Sequence, residues 1–437
     1  MSEPGRSGLN EAILAFGIRV LSAVLMLGLQ ILLARLMPLD FYGGYVAAWT
    51  WMLALGSFAA LGFAESSVRF LPRYRARGQE ARLRAYWRFG LSLVMAVSTG
   101  LAVIAAVLAH MLGADGGPGL LVLLVGLGLP FLALEYYLEG IARSFGWFRL
   151  ATVPVYIIRP LLIGAICLAL VQAGMVLTLP LVGAILIAAM ALVAIGVALV
   201  IAWRLRFSGP VRATARQKSL WLRAALPLLA VSGLEDLASY ADVLVLSLLA
   251  TPDEVGLYFA AARALALANF VGYAIYLVSG RRFALDLASR DRAELQRSVH
   301  VASRLTFWST LAAVAVTLLA GPFLLAAFGP AFVEGYGVMV ILGLGLLAKA
   351  LCGQAGELLV VAGRQRALIW LSGGVLIAGV VLSVLLVPAL GMVGAATASA
   401  LAMALRSAAL ALTVWHTEKL RVLAWSLPMR TGPRAPA

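Results

Sequence analysis

Charge is scarce in this chain of 437 residues: only 12% are Asp, Glu, Lys or Arg, while 63% are apolar, and the mean hydropathy is +1.00. A soluble domain carries about 25% charged residues, so the composition excludes a soluble protein. Cysteine is scarcer still. Cys167 and Cys352 both lie inside long apolar runs, which excludes a disulfide framework or a cysteine metal cluster. His110, His300 and His416 fall at expected span ends or in basic segments, leaving no histidine at a membrane centre for acyl transfer. No G-x-x-x-x-G-K-[ST] phosphate loop occurs, so ATP hydrolysis is not carried in this chain.

What the chain has in abundance is apolar runs of membrane-spanning length. A spanning helix needs about 20 apolar residues, and hydropathy gives about twelve candidates, at 12–36, 41–64, 88–112, 118–142, 150–173, 179–203, 223–249, 255–280, 304–328, 333–361, 367–388 and 391–415. The connections between them are short and leave no room for a sizeable extramembrane enzyme domain. The N-terminal run is too long for a signal-peptide core and is expected to be a retained first helix.

Lys+Arg 34 against Asp+Glu 19 gives a net charge of +15. Nucleic-acid binding is the alternative reading of such a balance, but the charge is sorted by loop. Arg69, Arg73, Arg75, Arg77, Arg82 and Arg84 follow the second span, Arg143 and Arg149 the fourth, and Arg204, Arg206, Arg212, Arg216 and Lys218 the sixth. The pattern continues with Arg281, Arg282, Arg290, Arg292 and Arg297 after the eighth, Arg364 and Arg366 after the tenth, and the basic tail. The alternate loops hold Asp40, Asp115, Asp253, Glu254 and Glu334 without Lys or Arg. Basic residues collect in cytoplasmic loops, so both termini are expected in the cytoplasm, and no nucleic-acid partner is required. Trp87, Trp147, Trp203 and Trp221 fall where interfacial aromatic belts belong.

The chain also repeats itself. D-x-x-G-x-Y-x-A-A runs from Asp40 to Ala48 and again from Asp253 to Ala261, an offset of 213. Gly146-Trp-Phe-Arg149 is echoed by Gly363-Arg-Gln-Arg366, an offset of 217. Two six-helix halves in the same orientation are therefore expected, residues 1–212 and 213–437, and parallel repeats of this kind place a binding cavity between them near the midplane.

Ionisable side chains inside spans cost about 2.5–3.5 kcal/mol each at the helix centre and normally face a partner or a wet cavity. Arg19, Arg159, Arg263 and Lys349 are the candidates for a cationic cavity that receives an anionic substrate. Arg406, Glu139 and Glu357 lie nearer helix ends. Glu135, Glu235, Asp236 and Asp242 are the deep acidic candidates; Glu235 and Asp242, seven apart, share a helical face with Ser232 and Ser239. Such carboxylates either take up a coupling Na⁺ or H⁺ or pair with the arginines. No metal cofactor is implied.

The segment from Leu33 through Arg35, Pro38 and Asp40 to Tyr45 resembles the L-A-R-L-l-x-x-x-e-y-G-x-Y signature of the polysaccharide exporters, the O-antigen flippases of the multidrug/oligosaccharidyl-lipid/polysaccharide (MOP) superfamily. Asp242 to Tyr258 is similar to the family's D-x-x-x-L…s-x-e-e-V-G-x-Y stretch. The resemblance covers essentially the whole chain. It departs at Leu39, where many relatives have proline; here Pro38 stands one place earlier. It implies an all-α polytopic membrane protein of about twelve helices in two lobes around a central cavity, MATE-like, in the bacterial inner membrane. It also implies that the protein is not an enzyme but an alternating-access flippase of undecaprenyl-diphosphate-linked oligosaccharide, working as a monomeric unit among membrane lipids beside a polysaccharide polymerase.

Two other readings remain open. One is a cation-coupled multidrug antiporter of the same superfamily, which would want an anionic cavity. The other is a polytopic glycosyl or acyl transferase, disfavoured by the missing membrane-centre histidine and the short outer loops.

Overall fold

The computed structural model describes residues 4–113, 116–205, 213–289 and 291–424. Apolar chain in a bilayer has no water to bond its peptide groups, so the backbone must satisfy itself as helix; among the described residues there is no β-strand. The helices are α1 (Pro4–Leu36), α2 (Leu39–Ala59), α3 (Phe63–Ala76), α4 (Glu80–Leu112), α5 (Gly117–Ser144), α6 (Phe148–Val153), α7 (Arg159–Gln172), α8 (Leu179–Leu205) and α9 (Ala215–Leu249). They continue with α10 (Pro252–Ala266), α11 (Asn269–Ala288), α12 (Arg292–Leu319), α13 (Gly321–Phe328), α14 (Tyr336–Ala350), α15 (Ala355–Val361) and α16 (Gln365–Glu418). A π-helical turn, Pro154–Ile158, joins α6 to α7, and a 3-10 turn, Pro330–Gly335, precedes α14.

Every expected span falls on helix. Among the described residues, seven helical segments are long and apolar enough to cross a membrane, or eight if α2 and α3, bent by 42° at their break, form one span. The others fall short on length and composition for visible reasons: α9 carries several charges, and α10 and α11 are separated by a break. The last segment, α16, holds two expected spans. A straight helix of its 54 residues would be about 80 Å long, yet Arg364 at its start lies 3.2 Å from Glu418 at its end. The chain therefore doubles back, and it does so at Gly391, whose φ of 56° and ψ of −134° are non-helical. A side chain at 391 would collide with the Glu254 carboxylate, and Glu254 Oε1 accepts the Met392 N–H at 3.1 Å. The same Glu254 closes a capping box with Thr251 at the start of α10, so one carboxylate ties the α16 reversal to the α10 N-terminus.

The chain divides into two compact units, Met1–Tyr240 and Ala241–Ala437. The repeat boundary expected from sequence, near 212, and the packing boundary answer different questions. The first half of α9 packs with unit 1 because Trp221 and Ala225 are buried with Phe63, Tyr86 and Tyr137. The Trp221 indole N–H donates to the Tyr74 hydroxyl at 2.9 Å. Trp221 and Trp87, expected in an interfacial belt, are instead core residues at 0% and 5% exposure, while Trp203 is 76% exposed.

Both sequence echoes correspond to repeated local structure. Asp40 and Asp253 each lie in the first turn of a helix, α2 and α10, and each of those helices breaks before its expected span ends. Gly146 and Gly363 each close a helix in the left-handed region, with φ of 73° and 74°. The N–H groups of Trp147 and Arg364, the residues that follow, donate back to Ala142 O and Leu359 O at 2.9 and 2.8 Å. That is the Schellman geometry that favours glycine.

Candidate functional site

In unit 1 the deep polar residues close on one another. Glu135 of α5 and Arg159 at the first turn of α7 are each 4% exposed and form an ion pair. The π-helical turn immediately before Arg159 shifts the helical register there; such turns recur at sites that aim a particular side chain. The guanidinium carbon lies 5.1 Å from the ring centre of Trp49, adding a cation–π contact on its open face. Glu135 Oε1 has no hydrogen-bond partner, and Glu135 and Glu139 line a small cavity with Leu150, Ala151 and Val155. Glu139 itself pairs with Arg143 one turn on, at 3.6 Å.

The α9 carboxylates do not act as one group. Glu235 is exposed and Asp236 half-buried, where it interacts with the Ser57 hydroxyl; both belong to unit 1, whereas Asp242 belongs to unit 2. Ser232 and Ser239, expected beside them, donate to the backbone carbonyls of Leu228 and Glu235 at 3.1 and 2.8 Å.

In unit 2 the polar centre is Asp242. Its Oδ1 accepts the Val243 N–H at 2.8 Å and its Oδ2 accepts the Tyr258 hydroxyl at 2.6 Å. Ser399 Oγ of α16 lies 3.3 Å from the same hydroxyl. Tyr258 is fully buried in α10, inside the repeated motif; its partners lie 16 and 141 residues away, which a sequence pattern has no means of showing. Arg263, half-buried, stacks on Phe259 one turn earlier, 4.5 Å from the ring centre. Its charge is felt at Asp242, but the two form no ion pair. Lys349 near the end of α14 and Arg406 in α16 are exposed and close enough to repel. Among the described residues no carboxylate lies within ion-pair distance of Arg263, Lys349 or Arg406.

The start of α14 packs on α10, with Gly335 against Leu257. At 1.5 Å per residue, Arg263 lies roughly 9 Å beyond that contact along α10 and Lys349 roughly 21 Å beyond it along α14, so the two cations stand at different levels. Guanidinium and ammonium groups without carboxylate partners can donate charge-assisted hydrogen bonds to a phosphate or another anion. Arg19 lies in α1, and its side chain is outside the described residues. Among the described residues, no group of His, Cys, Asp and Glu is arranged to hold a metal ion.

A family profile described as polysaccharide biosynthesis protein matches residues 9–279. No curated protein sequence matches the chain. Among solved structures, an inward-facing multidrug resistance MATE family transporter of the MOP superfamily superposes with a TM-score of 0.70 at 14% identity, over 91% of this chain and 96% of that one. The lipid II flippase MurJ, in an inward closed conformation, gives 0.71 at 14% identity, over 92% and 87%. A MOP superfamily transporter from Pyrococcus furiosus, whose binding pocket is described as reversed in polarity, gives 0.58 at 16% identity, over 91% and 92%. At these identities the likeness establishes the fold, which is that of the MOP transporters.

Proposed function

The chain belongs to the polysaccharide biosynthesis protein family, and from that premise we propose that it is an alternating-access flippase for undecaprenyl-diphosphate-linked oligosaccharide. It carries its substrate from the cytoplasmic to the periplasmic leaflet of the bacterial inner membrane, for surface polysaccharide such as O-antigen or exopolysaccharide. Both termini lie in the cytoplasm, and the product passes to a polysaccharide polymerase. The observation that carries this reading is the set of unpaired cations in unit 2.

A diphosphate meets a prohibitive desolvation cost in hydrocarbon unless fixed charges replace its water. Arg263 and Lys349 supply such charges on α10 and α14, while the lipid tail stays in the bilayer and the glycan in water. Arg19 is a further candidate for the same anion. Arg159 already holds Glu135 and has least charge to offer.

Asp242, held by Tyr258 and near Ser399, is the group we assign to the coupling ion, Na⁺ or H⁺, with Glu135, Glu235 and Asp236 as weaker candidates. A carboxylate with two hydroxyls beside it also suits a cation-coupled drug antiporter, the second reading; the unpaired cations of unit 2 argue for an anionic cargo.

The test is surface glycan in cells whose only copy carries Arg263→Gln and Lys349→Gln. We expect glycan to be lost while the protein inserts at wild-type level. Wild-type glycan in that double variant contradicts the assignment.

A further inference from the structure

One end of unit 1 carries a layered stack that the transport reading does not use. Arg75, in the last turn of α3, lies with its guanidinium carbon 5.5 Å from the ring centre of Phe145. Phe145 stacks on Trp147 with centroids 4.9 Å apart and planes 20° from parallel. Arg204, in the last turn of α8, lies 5.0 Å from the Trp147 ring centre. The left-handed Gly146 between the two rings makes the stack, because it turns the chain so that residues two apart lie face to face.

A guanidinium that lies on an aromatic face is held in place while its edge keeps in-plane N–H donors, which fit phosphate oxygens two at a time. Both arginines are exposed, and no described carboxylate lies within ion-pair distance of either.

The surface leading up to the stack is apolar. Leu192, Ile195, Leu199 and Trp203 of α8 are 62%, 51%, 65% and 76% exposed, and their spacing of three and four residues puts them in one stripe along the helix. The stripe ends one residue before Arg204. An anion that brings a long apolar chain fits this surface, whereas a soluble phosphate or a nucleic acid would leave the stripe uncovered.

We propose that the Arg75–Phe145–Trp147–Arg204 stack binds the phosphate headgroup of an anionic phospholipid whose acyl chains lie along the α8 stripe. This site is separate from the unit 2 cations and does not depend on the transported cargo.

Native mass spectrometry of the full-length protein in detergent, titrated with phosphatidylglycerol or phosphatidylcholine, tests it. A cationic residue beside an anionic lipid surface is worth roughly fivefold in affinity. Arg75→Gln with Arg204→Gln should therefore weaken phosphatidylglycerol binding by about thirtyfold and leave phosphatidylcholine unchanged. Arg75→Lys with Arg204→Lys, which keeps the charge but loses the planar fork, should fall between. Arg77→Gln with Arg149→Gln removes equal charge from the same end outside the stack and should cost clearly less than the loss of the two stacked arginines.

A size-exclusion profile and melting temperature equal to wild type confirm that each variant is folded; if the glutamine variant fails that check, the lysine variant decides. Wild-type phosphatidylglycerol affinity in the variant that decides overturns the proposal. So does an equal loss in the Arg77/Arg149 variant, or displacement of the lipid by millimolar inorganic phosphate.

Discussion

The two halves share their punctuation and differ in where they put charge. Each starts its second expected span with the same D-x-x-G-x-Y-x-A-A pattern and closes its fourth with a left-handed glycine. At the offset of that first motif, Asp242 and Arg263 of unit 2 correspond to Leu29 and Thr50 of unit 1. At the offset of the second, Glu135 of unit 1 corresponds to Cys352. Unit 1 thus buries one charge against another, whereas unit 2 leaves Arg263, Lys349 and Arg406 without carboxylate partners among the described residues. Repeated turns and caps belong to the scaffold, and the residues that differ between copies are where the halves have taken separate work. A neutralised pair holds helices together; a cation with no carboxylate partner has its donors free for a ligand.

Breaking the unit 1 pair on one side should have the largest effect. Glu135→Ala strands Arg159 in a site 4% exposed, and losing one partner of a buried pair costs about 3–5 kcal/mol. Folded yield and detergent melting temperature should both fall. Replacing both partners, Glu135→Leu with Arg159→Met, should restore most of the loss, because a buried pair exchanged for apolar residues of similar volume is often near neutral. If the double variant unfolds as readily as the single one, the pair is more than a helix tie.

Gly391→Ala comes next, since it combines a positive φ with a side chain driven into Glu254. A cost of about 1–3 kcal/mol is expected, read as a lower melting temperature. Wild-type stability would remove Glu254 as the tie that holds the α16 reversal. Tyr258→Phe removes the hydroxyl bonded to Asp242 and should cost about 1.5–3 kcal/mol or less, as for a hydrogen bond to a charged group. Its sharper readout is the ion dependence of transport, which should shift in the same direction as in Asp242→Asn. Unchanged dependence in both variants leaves Asp242 structural.

The smallest effect tests the symmetry itself. Gly146→Ala and Gly363→Ala each place a side chain in open space at a left-handed φ, at about 1 kcal/mol each. Equal losses support the equivalence of the two caps; a cost at one position alone breaks it.

Much of the scaffold was legible in the sequence, because lipid enforces it. Spans of about 20 apolar residues, the alternation of basic loops and both echoes reappear as helices, a basic end of unit 1 and matched caps. The breaks within α2/α3 and α10/α11 were hidden, since hydropathy is continuous across them. Burial was hidden too: Trp221 looked like an interfacial anchor but packs in the core through Tyr74, 147 residues away. Of the candidate site, the sequence supplied the ionisable residues but not their partners. Nothing local distinguishes Arg159, which faces Glu135 24 residues earlier, from Arg263, which faces no carboxylate within ion-pair distance among the described residues. Tyr258 and Ser399 around Asp242 are joined only by folding.

The central claim is that unit 2 cations handle the cargo while the unit 1 charge pair supports the fold. Its most direct test is a flipping assay in proteoliposomes with undecaprenyl-diphosphate-linked oligosaccharide, comparing Arg263→Gln/Lys349→Gln with Glu135→Leu/Arg159→Met at matched amounts of folded protein. The account predicts loss of flipping in the unit 2 variant and near wild-type rates in the unit 1 variant. Full activity in the unit 2 variant together with loss in the unit 1 variant would contradict it.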